Sequence, residues 1–165
     1  MGLFSFIKNA GAKVFGIGKT DAEEAEEKAT EHLEAIAAKK EKDEAAIKET
    51  INDLELHVEN LHVSLEGETA IISGKAHDQA TKEKVVLLVG NTHGIAMVDD
   101  RMDVEHKEPE AKFHTVVKGD TLGKIAKEHY GNAMKYPVIF EANKPMLKDP
   151  DLIYPGQVLR IPVLD

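Results

Sequence analysis

After Leu54 the apolar residues stop recurring at every third or fourth position and begin to alternate, with Leu61, Val63 and Leu65 separated by His62, Ser64 and Glu66. A period of two belongs to a strand with one buried face, so a helical region gives way here to a sheet. Glu66-Gly67-Glu68 supplies a turn, and Thr69 to Gly74 returns as the second strand of a hairpin. Asp78 is placed to cap a helix running through Val85, Leu88 and Val89. Gly90-Asn91-Thr92-His93-Gly94 ends that helix, and Ile95 to Val104 forms a third strand. The order helix, strand, strand, helix, strand predicts an α+β fold.

Upstream of the switch, Ala22, Ala25, Ala29, Leu33 and Ile36 repeat at helical spacing behind Asp21 as N-cap. Strong helix formers without Gly or Pro then extend this helix, or form a second one, through Ala46, Ile47 and Ile51. At the start of the chain, Leu3, Phe4, Ile7, Gly11, Val14 and Phe15 share one face of a short amphipathic helix over residues 3–15. The first 20 residues carry Lys8, Lys13 and Lys19 and no acid. Such a helix leaves contact with a membrane surface open, though docking onto the acidic body of the protein is favoured. It is too short to span a bilayer. Lys8 and Asn9 end the apolar run well short of a signal-peptide core, and Phe6 stands where myristoylation expects Ser or Thr. A cytoplasmic protein is expected.

The formal net charge is −9. Basic and acidic residues number 13 and 23 over residues 1–108, but 8 and 7 over 109–165, which divides the chain's 21 and 30 very unequally. Nucleic acid is excluded as a partner, because phosphate binding needs a clustered positive field. An acidic surface concentrates cations without selecting one. Cysteine is absent, which removes disulfides and thiol nucleophiles. No nucleophile elbow, P-loop or zinc-protease helix is present, so catalysis has no visible constellation and a non-enzymatic role is expected. His57 and His62, five residues apart, would face opposite sides of a strand. Asp99, Asp100, Asp103 and Glu105 lack the glycine and spacing of a calcium loop.

Glu108-Pro109-Glu110 marks a linker, after which Phe113 to Ala126, containing Lys118-Gly119-Asp120-Thr121-Leu122, reads as strand, turn and capped helix ended by Tyr130-Gly131. With Ile139, Asn143 and Ile153-Tyr154-Pro155-Gly156-Gln157-Val158-Leu159-Arg160-Ile161-Pro162, this segment resembles a LysM domain, two strands flanking two helices. Tyr136-Pro137-Val138 departs from the family pattern and moves the second helix start toward Pro137. The resemblance implies a shallow groove for N-acetylglucosamine-containing glycans lined by Gly119, Asp120, Thr121, Leu122, Ile153, Tyr154 and Pro155. The same residues have structural uses: Gly119 permits a turn, Thr121 caps a helix, Leu122 fills a core and Pro155 stiffens a loop.

Leu61 to Gly67 and Val89 to Ile95 resemble a BON domain, although Ala37 to Asn60 is longer than that family requires. The boundaries that follow are an amphipathic helix over 1–20, a BON-like α/β sandwich with an extended helical region over 21–107, a linker at 108–112 and a small LysM domain over 113–163. Met1 to Gly11, Val89 to Ile95 and Ile139 to Lys148 together resemble the BON–LysM family of cytoplasmic potassium-binding proteins. That resemblance implies reversible binding or sensing of a potassium ion, held by main-chain oxygens of Ile7, Ala10, Gly90, Thr92 and Ile95. The physics agrees, because helix C-termini expose unpaired carbonyls at the negative end of the dipole and neutral oxygens suit a large monovalent cation. Two other uses stay open: a glycan-binding or envelope-associated adaptor acting through the LysM segment, and a scaffold for protein partners.

Overall fold

The computed structural model describes residues 2–5 and 22–165. Its first module is a four-stranded sheet in the order β1-β4-β3-β2, formed by β1 (Gly2–Ser5), β2 (Val58–Glu66), β3 (Thr69–Asp78) and β4 (Met97–His106). The hairpin β2–β3 closes through Gly67 at φ 60, as the Glu-Gly-Glu turn requires. β3 and β4 are parallel, and α2 (Gln79–Gly90) makes the crossover between them. Asp78 caps α2 by accepting the Thr81 N–H at 2.7 Å.

A bulge between Glu59 and His62 breaks the alternation of β2. Gly74 of β3 lies against it at φ 139, where a Cβ would stand 2.8 Å from the Glu59 carbonyl oxygen. Glycine is therefore required there both by conformation and by space.

α1 (Ala22–Asp53) is one unbroken helix of 32 residues, about 48 Å long. Its last turns join the core, where Ile47 and Ile51 pack with Val63, Ala70, Ile72, Val85, Val86, Val89, Val98 and Met102. Glu44 ties the helix to the sheet by accepting the Leu65 N–H at 2.7 Å. Leu33 and Ile36, read from sequence as repeating at helical spacing, are 65% and 52% exposed. The expected helix over residues 3–15 is also corrected where it is described: Gly2–Ser5 are extended and pair antiparallel with Asp100–Met97 of β4. The rest of that segment lies outside the described residues. Among the described residues, no helix is long and apolar enough to cross a membrane.

The second module pairs β5 (Lys112–Thr115) antiparallel with β6 (Val158–Ile161) around α3 (Leu122–Tyr130), a 3-10 turn at Ala133–Lys135 and α4 (Tyr136–Ala142). Thr121 caps α3, and Gly131 ends it in the left-handed conformation at φ 71. Pro137 sits in the first turn of α4, where its missing N–H costs nothing. Val116, Leu122, Ile125, Ala126, Ile139, Leu147, Leu159 and Ile161 form a second core. Buried Asn143 staples α4 to β6, donating to the carbonyls of Ile139 and Arg160 and accepting the Arg160 N–H.

The modules are docked. α2 buries Val85, Val86, Leu87 and Val89, as a helix covered on more than one side must, and it packs against both its own sheet and β6. Glu83 of α2 meets Arg160 of β6 at 2.5 Å, both buried. Its other oxygen accepts from Gln79 and from the Ala111 N–H of the linker, each at 2.9 Å. Phe4 and Phe113 bring β1 and β5 into ring contact at 5.3 Å between centroids.

Candidate ion site at the junction of the modules

The carbonyls that end α2 have distinct fates. Leu87 accepts the Asn91 N–H at 2.9 Å, Leu88 the Thr92 hydroxyl at 2.9 Å and Val89 the Thr92 N–H at 3.0 Å. The Gly90 carbonyl receives no backbone N–H from any described residue. The Thr92 carbonyl accepts the Ile95 N–H at 3.2 Å, leaving one lone pair. Gly94 turns the chain at φ 87. Gly90, by contrast, is the last residue of the helix and has no positive φ.

This loop lines a cavity of about 40 Å³, and the opposite wall is Tyr154-Pro155-Gly156 of the second module. Gly90, Thr92 and Ile95, chosen from sequence as ion ligands, therefore share a cavity with Tyr154 and Pro155, chosen as glycan contacts. Among the described residues, no carboxylate lines it. Its character is set by backbone dipoles and by the negative end of α2. Asn91 clamps the two walls, its amide donating to the Val158 carbonyl at 3.0 Å and accepting the Val158 N–H at 2.9 Å. Ile7 and Ala10 lie outside the described residues. β1 nevertheless runs toward this site, because Ser5 pairs with Met97, two residues from Ile95.

The other glycan candidates do structural work. Leu122 is buried in the second core, Thr121 caps α3, Gly119 adopts φ 91 and Asp120 bonds His114 and the Val117 N–H. Ile153 packs against the same core. The carboxylates of β4 are not one cluster. Asp99 pairs with Arg101, buried Asp100 with Lys82 at 3.2 Å, and Glu105 lies beside Lys75 and His77. His57 precedes β2 and lines a cavity with His77 and Glu105, whereas His62 follows the bulge on β2.

Sequence reasoning passed over Glu83, Asn91 and Arg160, which hold the two walls together. Arg160 alone carried a signal, because a charge within Val158–Ile161 is one that apolar surroundings bury only with a partner, whereas Glu83 stands between Lys82 and Lys84 and reads as part of a solvated turn.

Residues 39–106 match the BON domain family and residues 114–162 the LysM domain family. The chain is 42% identical over 164 residues to the potassium binding protein Kbp of Escherichia coli O6:H1 (strain CFT073), covering 98% of this chain and 99% of that protein. It is also 51% identical over 49 residues to an uncharacterized protein of Deinococcus radiodurans, covering 30% of this chain and 19% of that one.

Proposed function

The chain belongs to the Kbp family of BON–LysM proteins, and on that premise we propose that it binds a potassium ion reversibly in the junction cavity, through main-chain oxygens. The observation that carries this reading is the cavity's lining: a helix C-terminus and a glycine-bent loop, with no carboxylate among the described residues. Neutral carbonyls replace the hydration shell of a large monovalent ion, while a divalent ion would want fixed negative charge. A water molecule needs roughly 10–15 Å³ of such space, so about 40 Å³ accommodates one ion with residual water. Gly90, Thr92 and Ile95 supply oxygens from one wall, and Ile7 and Ala10 complete the set from the segment that follows β1. The protein is thus a binding protein rather than an enzyme, and its work is to hold or report potassium in the cytoplasm.

Titration of the metal-free protein with potassium and with sodium at matched ionic strength tests this. Amide shifts should concentrate at Gly90–Ile95 and Tyr154–Gly156 and saturate for potassium at lower concentration than for sodium. Potassium at 100 times its dissociation constant should raise stability by about 2.7 kcal/mol. Identical responses to both ions, or shifts confined elsewhere, would overturn the assignment. Saturable binding of chitin oligomers with no potassium response would favour the glycan adaptor instead.

A further inference from the structure

Away from the junction cavity's lining, β5 and the last turn of α3 bring two imidazoles together. His114 Nδ1 and His129 Nε2 are 3.1 Å apart, with the rings nearly perpendicular at 86°. His114 Nε2 lies 3.0 Å from Asp120 Oδ2, and that oxygen also accepts the Val117 N–H at 3.0 Å. A carboxylate held this way calls for a proton on Nε2, so neutral His114 turns the Nδ1 lone pair toward His129. An oxygen of Glu128 completes the group, all three donor atoms lying within 4.8 Å of one another.

We propose that His114, His129 and Glu128 form a site for a divalent transition-metal ion of the zinc class, with Asp120 orienting His114 from behind. Zinc holds imidazole nitrogen at about 2.0–2.1 Å, which at a tetrahedral angle separates two such nitrogens by roughly 3.3–3.4 Å. The imidazole pair reaches that spacing by opening a few tenths of an ångström. The ion takes the place of the proton the rings would otherwise share, and water fills the fourth position. Carboxylate behind imidazole behind metal is the arrangement that fixes tautomer and ring angle in zinc sites. His129 adds a favourable field, since it stands at the negative end of α3. Imidazole nitrogen also separates this site from a potassium site, which calls for oxygen donors.

His77, Glu105 and His106 form another group of metal-ligating type, but all three are exposed, and the His106 ring faces a backbone carbonyl rather than a carboxylate. They supply the control. The full chain, freed of metal, is titrated with zinc by calorimetry and with cobalt(II) by its visible absorption, which reports coordination number. One equivalent is expected, with the cobalt spectrum of a four-coordinate site. His129→Gln should abolish it, Glu128→Gln should weaken it, and Asp120→Asn should weaken it by about 10–100-fold. His77→Gln and His106→Gln should leave zinc affinity unchanged, and His129→Gln should leave the potassium response unchanged. Absence of zinc binding, binding undiminished in both His129→Gln and Glu128→Gln, or binding lost with His106→Gln would each overturn the proposal.

Discussion

Asn91 and Val158 exchange two hydrogen bonds across the junction of the modules, the side-chain amide of one standing in for a strand along the backbone of the other. The same asparagine lies within the loop that lines the junction cavity. With potassium bound where we propose, module docking and ion affinity would depend on one contact.

Asn91→Ala removes both bonds and leaves a β6 N–H and carbonyl unpaired, a loss of about 2 kcal/mol. Potassium affinity should fall with it, while the BON and LysM modules begin to unfold separately. Urea titration followed by resolved amide signals from each module checks both outcomes, and a single coincident transition at wild-type midpoint would contradict them.

Glu83→Ala strands the Arg160 guanidinium in a buried site and should cost about 3–5 kcal/mol. The double replacement Glu83→Leu with Arg160→Met removes both charges and should recover a large part of that loss, because apolar side chains of similar volume replace buried pairs at little cost. Denaturation midpoints of the two singles and the double measure the coupling.

Gly94→Val places a β-branched residue at φ 87, where no atom within 4 Å of the new Cβ obstructs it, so the penalty is one of backbone conformation, roughly 1–2 kcal/mol. If the loop relaxes to relieve it, the cavity opens and potassium affinity drops by about tenfold for each 1.4 kcal/mol. Thr92→Ala removes only the hydroxyl that caps the Leu88 carbonyl and keeps its own main-chain oxygen, so it should weaken binding less. Potassium titrations of the two variants rank them.

Burial alone raises the Asp78 carboxyl, but the N–H and hydroxyl of Thr81, with His77 and Lys84 nearby, outweigh it and hold the group below the usual carboxylate range. A lowered value means that the ionised cap contributes fully above the unfolded pKa of about 3.9 and loses its contribution as pH falls through the lower folded value. Asp78→Ala should cost about 1 kcal/mol near neutrality. The gap between the urea midpoints of wild type and variant should narrow progressively below about pH 4.

The features legible in the sequence are those whose cause is local. Asp78 and Thr121 announce helix starts, Gly131 a helix end and Gly67 a hairpin, because each acts on backbone within a few residues. Leu33 and Ile36 show the limit of periodicity, which records that residues share a face but not that anything covers it. Leu3 and Phe4 fit a helical pattern as well as an extended one, and only their distant partner on β4 decides between them. The same holds for the candidate site: the bend at Gly94 was readable, whereas the wall supplied by Tyr154–Gly156 depends on how α2 meets β6.

The pairing of Gly2 with Asp100 also sets a timetable. β1 is synthesised before every other strand, yet its neighbour β4 emerges after the rest of that sheet. At roughly 5–20 residues per second, the strand waits about 5–20 s for its partner. Its late seating is entropically tolerable, since closure cost grows only with the logarithm of the intervening length. During synthesis the oldest strand thus becomes the closing one, sealing a β4 edge that would otherwise stay open to a strand from a neighbouring nascent chain.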